Sequence, residues 1–159
     1  MMHPQIRPIA ICVFWKGGNI LVAEGYDSWK REKFYRPLGG SIEFGEYSRD
    51  CIIREIREEL GAEINGLTYI GTIENLFVFN GKVGHEIVLV YEASFVDRHM
   101  YDAEAIEGRE TDGTTFVARW KPVVEFREGK ARLVPEGLLN LLDKIKKAEH
   151  IGKVGGAED

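Results

Sequence analysis

The sequence predicts an α/β protein in which a mixed β-sheet lies between helices. Three observations lead there. Segments that read as strands lie on both sides of an early helix, and a second amphipathic helix closes the regular part of the chain. Between them, Glu86 to Phe95 is apolar on both faces in its middle, as in a central strand covered from both sides. With 159 residues, 44% of them hydrophobic and 30% charged, the composition is that of one ordinary globular domain spanning residues 1–159.

The apolar runs Ile9 to Phe14 and Ile20 to Ala23 flank Lys16-Gly17-Gly18-Asn19, a hairpin signature. Tyr26 to Glu32 reads as a loop, and Lys33 to Arg36 leads into the turn Pro37-Leu38-Gly39-Gly40. A helix follows from about Glu46 to Leu60, with Gly61 placed to stop it in a left-handed conformation. Ile64 to Ile70 and Thr72 to Phe79 read as two extended segments, Asn80-Gly81 as a turn, and Glu86 to Phe95 as the central strand. Asp97 to Gly113 is acidic and reads as an irregular loop, Phe116 to Trp120 as a short strand, and Pro122 as the opening of a brief helix. The last helix is expected from about Pro135 to Ala148 with Leu138, Leu139, Leu141, Leu142 and Ile145 facing the sheet, and residues 149–159 as a frayed tail.

Composition narrows the function. No apolar run approaches the roughly 18 residues of a membrane span, and the start has no signal-peptide form, so a cytoplasmic location is expected. The net charge of −5 argues against broad electrostatic binding to nucleic acid. Cys12 and Cys51 form no CxxC pair and read as small packing residues.

The most informative stretch is Gly40 to Ala62. On a helix, Glu55, Glu58 and Glu59 fall within an arc of about 100°. Ile52, Ile53, Ile56 and Leu60 lie on its flank, so an apolar stripe can press on a sheet while the carboxylates line its edge. Like charges at i,i+4 cost roughly 0.2–0.5 kcal/mol per pair, and a divalent cation removes the conflict. An all-oxygen donor set without nearby His or Cys favours Mg²⁺ or Mn²⁺ over zinc. The paired glycines allow close approach of the backbone to a ligand, so that the Gly39 carbonyl could complete the metal shell.

The order Gly40, five residues, Glu46, seven residues, Arg54-Glu55-Ile56-Arg57-Glu58-Glu59-Leu60-Gly61-Ala62 resembles the Nudix box of the Nudix hydrolase family, with Ala62 a smaller apolar residue than usual. The resemblance implies an α/β/α sandwich of Nudix type and a Mg²⁺-dependent pyrophosphohydrolase. It implies that Glu55, Glu58 and Glu59 bind the metal together with the Gly39 carbonyl. Arg54 and Glu46 would pair and hold the catalytic glutamate. The general base would be a glutamate of the cluster or one from a distant loop, and family members often form dimers.

For that loop base Glu110 is attractive, with Glu104 and Glu107 in competition, and Glu86 beside His85 is another candidate ligand or base. Arg36 could steer a phosphate, as could His85. Phe77, Phe79, Tyr26 and Trp29 could stack a base, although Phe77 and Phe79 alternate along a strand as core residues do. The proline typical of the ADP-ribose subgroup is replaced here by Val78 and Phe79, and neither the tyrosine of dinucleoside polyphosphate hydrolases nor a coenzyme A signature is evident. The expected substrate is therefore a nucleoside diphosphate linked to another moiety. The competing readings are a nucleotide sensor that does not cleave and an RNA 5′-end pyrophosphohydrolase, which would want a basic track.

Overall fold

The computed structural model describes residues 4–146, so the expected tail and the last turn of the final helix lie outside the described residues. Strands β1 (Arg7–Lys16) and β2 (Asn19–Asp27) form the expected hairpin, but only its closed end is paired, Trp15 with Ile20 and Lys16 with Asn19. Beyond those pairs the two strands diverge. Away from the hairpin's closed end, β3 (Glu32–Arg36) pairs with Ala23 to Asp27 of β2, and β4 (Leu38–Ser41) pairs with Ile9 to Cys12 of β1. Pro37, between β3 and β4, carries the chain across the fork.

α1 (Ser48–Leu60) follows, then β5 (Ile64–Phe79), β6 (Lys82–Phe95), a 3₁₀ turn at Arg98–Tyr101, β7 (Ala105–Arg109), β8 (Thr115–Pro122) and α2 (Val123–Arg127). α3 covers residues 138–146 of the described chain. The strand order is β5-β6-β1-β2-β8-β7, and the β1–β6 pair is parallel while the others are antiparallel. This is the mixed sheet between helices that the sequence predicts.

Alternation along β1 explains the two-sided core. Ile9, Ile11 and Val13 pack with Val88, Val90, Val123, Phe126, Leu138 and Leu142, beneath α2 and α3. Ala10, Cys12 and Phe14 pack with Leu21, Cys51, Ile52, Ile56 and Phe95, beneath α1. Both sets come from one strand because side chains alternate faces with period two. β1 is thus as central as the Glu86 to Phe95 strand, which becomes β6.

Two expectations change. The segments from Ile64 to Phe79 merge into one long strand with register shifts between Asn65 and Thr68 and between Tyr69 and Gly71. The stretch from Asp97 to Gly113 is not a structureless loop, since β7 pairs with β8 inside it. As the outermost strand of its half-sheet, β7 buries only Gly108 and keeps charged side chains, so it lacks the alternating apolar pattern that marks a strand in sequence.

Candidate active site

α1 starts at Ser48 and is stopped by Gly61, whose left-handed backbone lets its N–H donate to the Arg57 carbonyl at 2.9 Å. Cys51, Ile52, Ile56, Glu55 and Glu59 form its buried face. Two of the three carboxylates are therefore set into the apolar stripe rather than along its edge, each only 8% exposed. Glu58 turns outward, with 49% of its side chain exposed.

The glycines of β4 make room for the Glu55 carboxylate. A β-carbon on Gly40 would overlap the Glu55 carboxylate, and one on Gly39 would overlap the Ala10 carbonyl oxygen of β1. Their lack of side chains lets β4 lie against both β1 and the acidic helix. Cys51, also buried, points its thiol at the Ser41 carbonyl at 3.4 Å, and burial pushes that thiol up to about 12.

Arg54 organises the carboxylates. Its Nε and Nη2 donate to the two oxygens of Glu46 at 2.7 and 3.0 Å, a bidentate pair. Nη1 donates to Glu55 at 3.0 Å and to Glu58 at 3.3 Å, and Nη2 also reaches the Ser41 carbonyl at 3.2 Å. The Arg54 hydrogen bonds, helped by the Glu43 backbone N–H, hold the Glu46 carboxyl down at about 2. Glu46 lies just before α1, free to face the guanidinium from the side.

Glu59 experiences the opposite environment. Burial first, then a hydrogen bond shared with Glu55 and the nearby charges of Glu110 and Glu55, raise it well above the usual carboxylate range, while Arg36 pulls the other way. Glu110 thus stands near the helix, and Arg36 contacts it at 3.4 Å. Glu104 and Glu107 do not line the cleft, whereas Glu110, Thr111 and Glu86 do. Glu86 accepts from the Asn75 amide at 3.3 Å and faces Arg7 at 3.9 Å. His85 and Trp29 lie outside the cleft lining; Tyr26, Phe34, Phe77 and Phe79 are in it.

The cleft has a volume of about 1220 Å³ and runs from the α1 carboxylates past β4 to the β5–β6 hairpin and residues 132–136. One wall is fixed by Asp27, a buried acid that the sequence does not mark out. It accepts backbone N–H bonds from Trp29 and Lys30 at 3.0 Å and from Asn80 at 3.3 Å, which holds its carboxyl below the usual range. Lys30 donates to the Val78 carbonyl at 2.8 Å and Ser28 to the Asn80 side chain at 3.0 Å. The β2–β3 turn is thereby fastened to the tip of the β5–β6 hairpin, across more than fifty positions of sequence.

The donor set can be tested against a divalent cation. Among the described residues no three acidic, histidine or cysteine side chains converge into a metal cage, and Arg54 Nη1 bridges Glu55 and Glu58. The oxygen donors nevertheless suit a hard cation. Two carboxyls buried side by side conflict electrostatically, which a divalent cation would relieve, and the exposed Glu58 lies one turn away.

A forked mixed sheet carrying a helix with buried carboxylates against a glycine-paired strand defines the class. The chain belongs to the Nudix family, whose domain model matches residues 5–141. Among curated proteins it is 29% identical over 106 residues to the NAD-capped RNA hydrolase NudC of Pseudomonas aeruginosa (strain LESB58), covering 64% of this chain and 34% of that one. It is 35% identical over 74 residues to the protein of the same name from Pseudomonas fluorescens, covering 44% of this chain and 25% of the other. The matched part thus spans about a quarter to a third of the length of these relatives. Among solved structures, a NUDIX hydrolase from Nitrosomonas europaea superposes with a TM-score of 0.63 at 14% identity, covering 91% of this chain and 90% of that one. A MutT NUDIX hydrolase from Burkholderia pseudomallei superposes at 0.55 with 22% identity, covering 76% of this chain and 85% of the other. Both show the same fold.

Proposed function

We propose that this protein is a Mg²⁺-dependent pyrophosphohydrolase that cleaves the diphosphate linkage of a nucleoside diphosphate joined to another moiety, with Mn²⁺ as a substitute. The observation that carries the reading is the Arg54 hub, which gathers Glu46, Glu55 and Glu58 beside the buried Glu59 at one end of the cleft. Glu55, Glu58 and Glu59 would hold the cation with the Gly39 carbonyl. Bound there, it would offset the diphosphate charge and make a water more acidic.

The remaining work falls to the chain. Arg54 is a positioning residue that fixes Glu55 and Glu58, with Glu46 holding it in turn. Glu58, the most exposed carboxylate of the three, is placed to accept a proton from the attacking water, and Glu110 is the alternative acceptor. Arg36 would meet a phosphoryl group, and Glu86 would bind substrate on the opposite wall. Tyr26, Phe34, Phe77 and Phe79 offer aromatic surface to a base. Among the described residues no helix is long and apolar enough to cross a membrane, and a cytoplasmic enzyme, working alone or as a homodimer, accords with this reading.

A second reading draws on the relatives, which are named for hydrolysis of NAD-capped RNA. NAD contains the linkage proposed here, so a capped RNA 5′ end belongs among the substrates to test. A phosphate-release and product screen over NTPs, nucleotide sugars, NAD, ADP-ribose, dinucleoside polyphosphates and NAD-capped RNA, with Mg²⁺ or Mn²⁺, separates the readings. Turnover that Glu58→Gln lowers at least about a hundredfold is expected. Nucleotide binding without turnover on any substrate would instead support a sensor.

A further inference from the structure

Five cations line the cleft: Arg7, Lys30, Arg36, Arg54 and Arg132. Arg54 and Arg132 are committed to carboxylates at short range, Arg54 to Glu46 at 2.7 Å and Arg132 to Glu32 at 2.6 Å, and Lys30 donates to the Val78 carbonyl at 2.8 Å. Arg36 and Arg7 reach their carboxylate partners at longer range, Arg36 to Glu110 at 3.4 Å and Arg7 to Glu86 at 3.9 Å. Their side chains are 57% and 59% exposed, so these contacts are weak and readily exchanged for a phosphoryl group. Arg36 is already a candidate from its place before the glycine turn. Arg7 is not, and nothing in its sequence surroundings marks it.

Arg7 is aimed despite its exposure. Its Nη2 donates to Ser41 Oγ at 2.8 Å, and parallel pairing of β1 with β6 sets it opposite Glu86, itself fixed by Asn75. Ser41 connects it to the acidic helix. The Ser41 carbonyl accepts from Arg54 Nη2 at 3.2 Å, and Nη1 of the same guanidinium donates to Glu55 at 3.0 Å. Ser41 thus touches both a loosely paired cation and the group that holds the carboxylates.

We propose that Arg7 and the Ser41 hydroxyl form a phosphoryl-binding subsite beside the α1 carboxylates, where Arg7 exchanges Glu86 for a phosphoryl group of a diphosphate ligand. The subsite rests on the reading of the cleft as a diphosphate site. Its forked guanidinium, held on one nitrogen by Ser41, leaves the others free for phosphoryl oxygens.

Calorimetric binding of ADP, inorganic pyrophosphate and adenosine to the whole chain tests it, once with EDTA and once with Mg²⁺. Arg7→Gln should weaken ADP and pyrophosphate about tenfold and leave adenosine unchanged, the loss expected for one charge-assisted hydrogen-bonding pair. Arg7→Lys should lie between, and Ser41→Ala should shift in the same direction by less. A thermal melt checks that each variant is folded. Unchanged ADP affinity in Arg7→Gln, or an equal loss for adenosine, would overturn the subsite. Because binding is read without turnover, the two ideas fail separately. A chain that binds ADP through Arg7 but cleaves nothing keeps the subsite and loses the hydrolase, and the converse result does the reverse.

Discussion

Arg54 spreads its guanidinium N–H groups over Glu46, Glu55, Glu58 and the Ser41 carbonyl, and that is why lysine could not replace it. A single ammonium cannot hold both oxygens of Glu46 while reaching Glu55, Glu58 and the Ser41 carbonyl. Arg54→Lys is expected to lower kcat about a hundredfold with KM little changed, because the carboxylates shift by a fraction of an ångström while the cleft stays intact. Steady-state kinetics beside a melting curve checks this. Glu46 supplies a pH signature for the same pair. Its carboxyl lies at about 2 in the folded protein against an ordinary 4.5, so its contribution to stability is complete above about pH 4.5 and fades as the pH falls towards 2. The gap in urea midpoint between the wild type and Glu46→Gln should be constant above pH 5 and close below 4.5. A gap independent of pH down to 2 would show that the Arg54 pair does not stabilise the fold through charge.

At the scale of elements, β4 and α1 behave as one unit whose spacing is set by missing side chains. Gly40→Ala would push a β-carbon into the Glu55 carboxylate, and neither the strand, paired to β1, nor the helix, packed through Ile52 and Ile56, can retreat cheaply. The expected result is a folded protein, by circular dichroism, that has lost both turnover and any rise in melting temperature on adding Mg²⁺. The β5–β6 hairpin depends on a different fastening. Asp27→Ala removes the acceptor of three backbone N–H groups, so amide exchange should quicken from Trp29 to Lys30 and at Asn80 while the β1–β6 core remains protected. Local signals explain what the sequence disclosed. The Gly61 stop, the hairpin at Gly17-Gly18 and the spacing of the box are set by residues within one turn or one helix of each other. β7 forms a hairpin with the neighbouring β8 and was hidden because, as an exposed outer strand, it carries no alternating apolar pattern. Asp27 and Arg7 were hidden because their partners are distant, Asp27 meeting Asn80 and Arg7 meeting Ser41. The burial of Glu55 was hidden for the same reason, since Gly40, which makes room for it, belongs to another element.

The whole molecule is acidic, with a net charge of −5, and this bears on how a chain similar to NAD-capped RNA hydrolases would meet an RNA. Nonspecific affinity for a nucleic-acid backbone comes from cations that displace condensed counterions, and each phosphate neutralised on a single strand contributes about −0.7 to the slope of log K against log salt. In the cleft, Arg54, Arg132 and Lys30 already hold protein oxygens at short range, and Arg36 and Arg7, whose carboxylate partners stand farther off, are the cations left for a ligand phosphate. If a capped RNA is cleaved, recognition should therefore end near the cap. The expected KM for NAD-capped RNA lies within about threefold of that for NAD, and the slope of log(1/KM) against log salt stays shallower than about −2. Measuring both substrates from 50 to about 200 mM KCl decides the point. A steep slope with a much lower KM for the capped RNA would mean that a basic track exists beyond the cleft, and that the net charge conceals a local patch able to hold the RNA body.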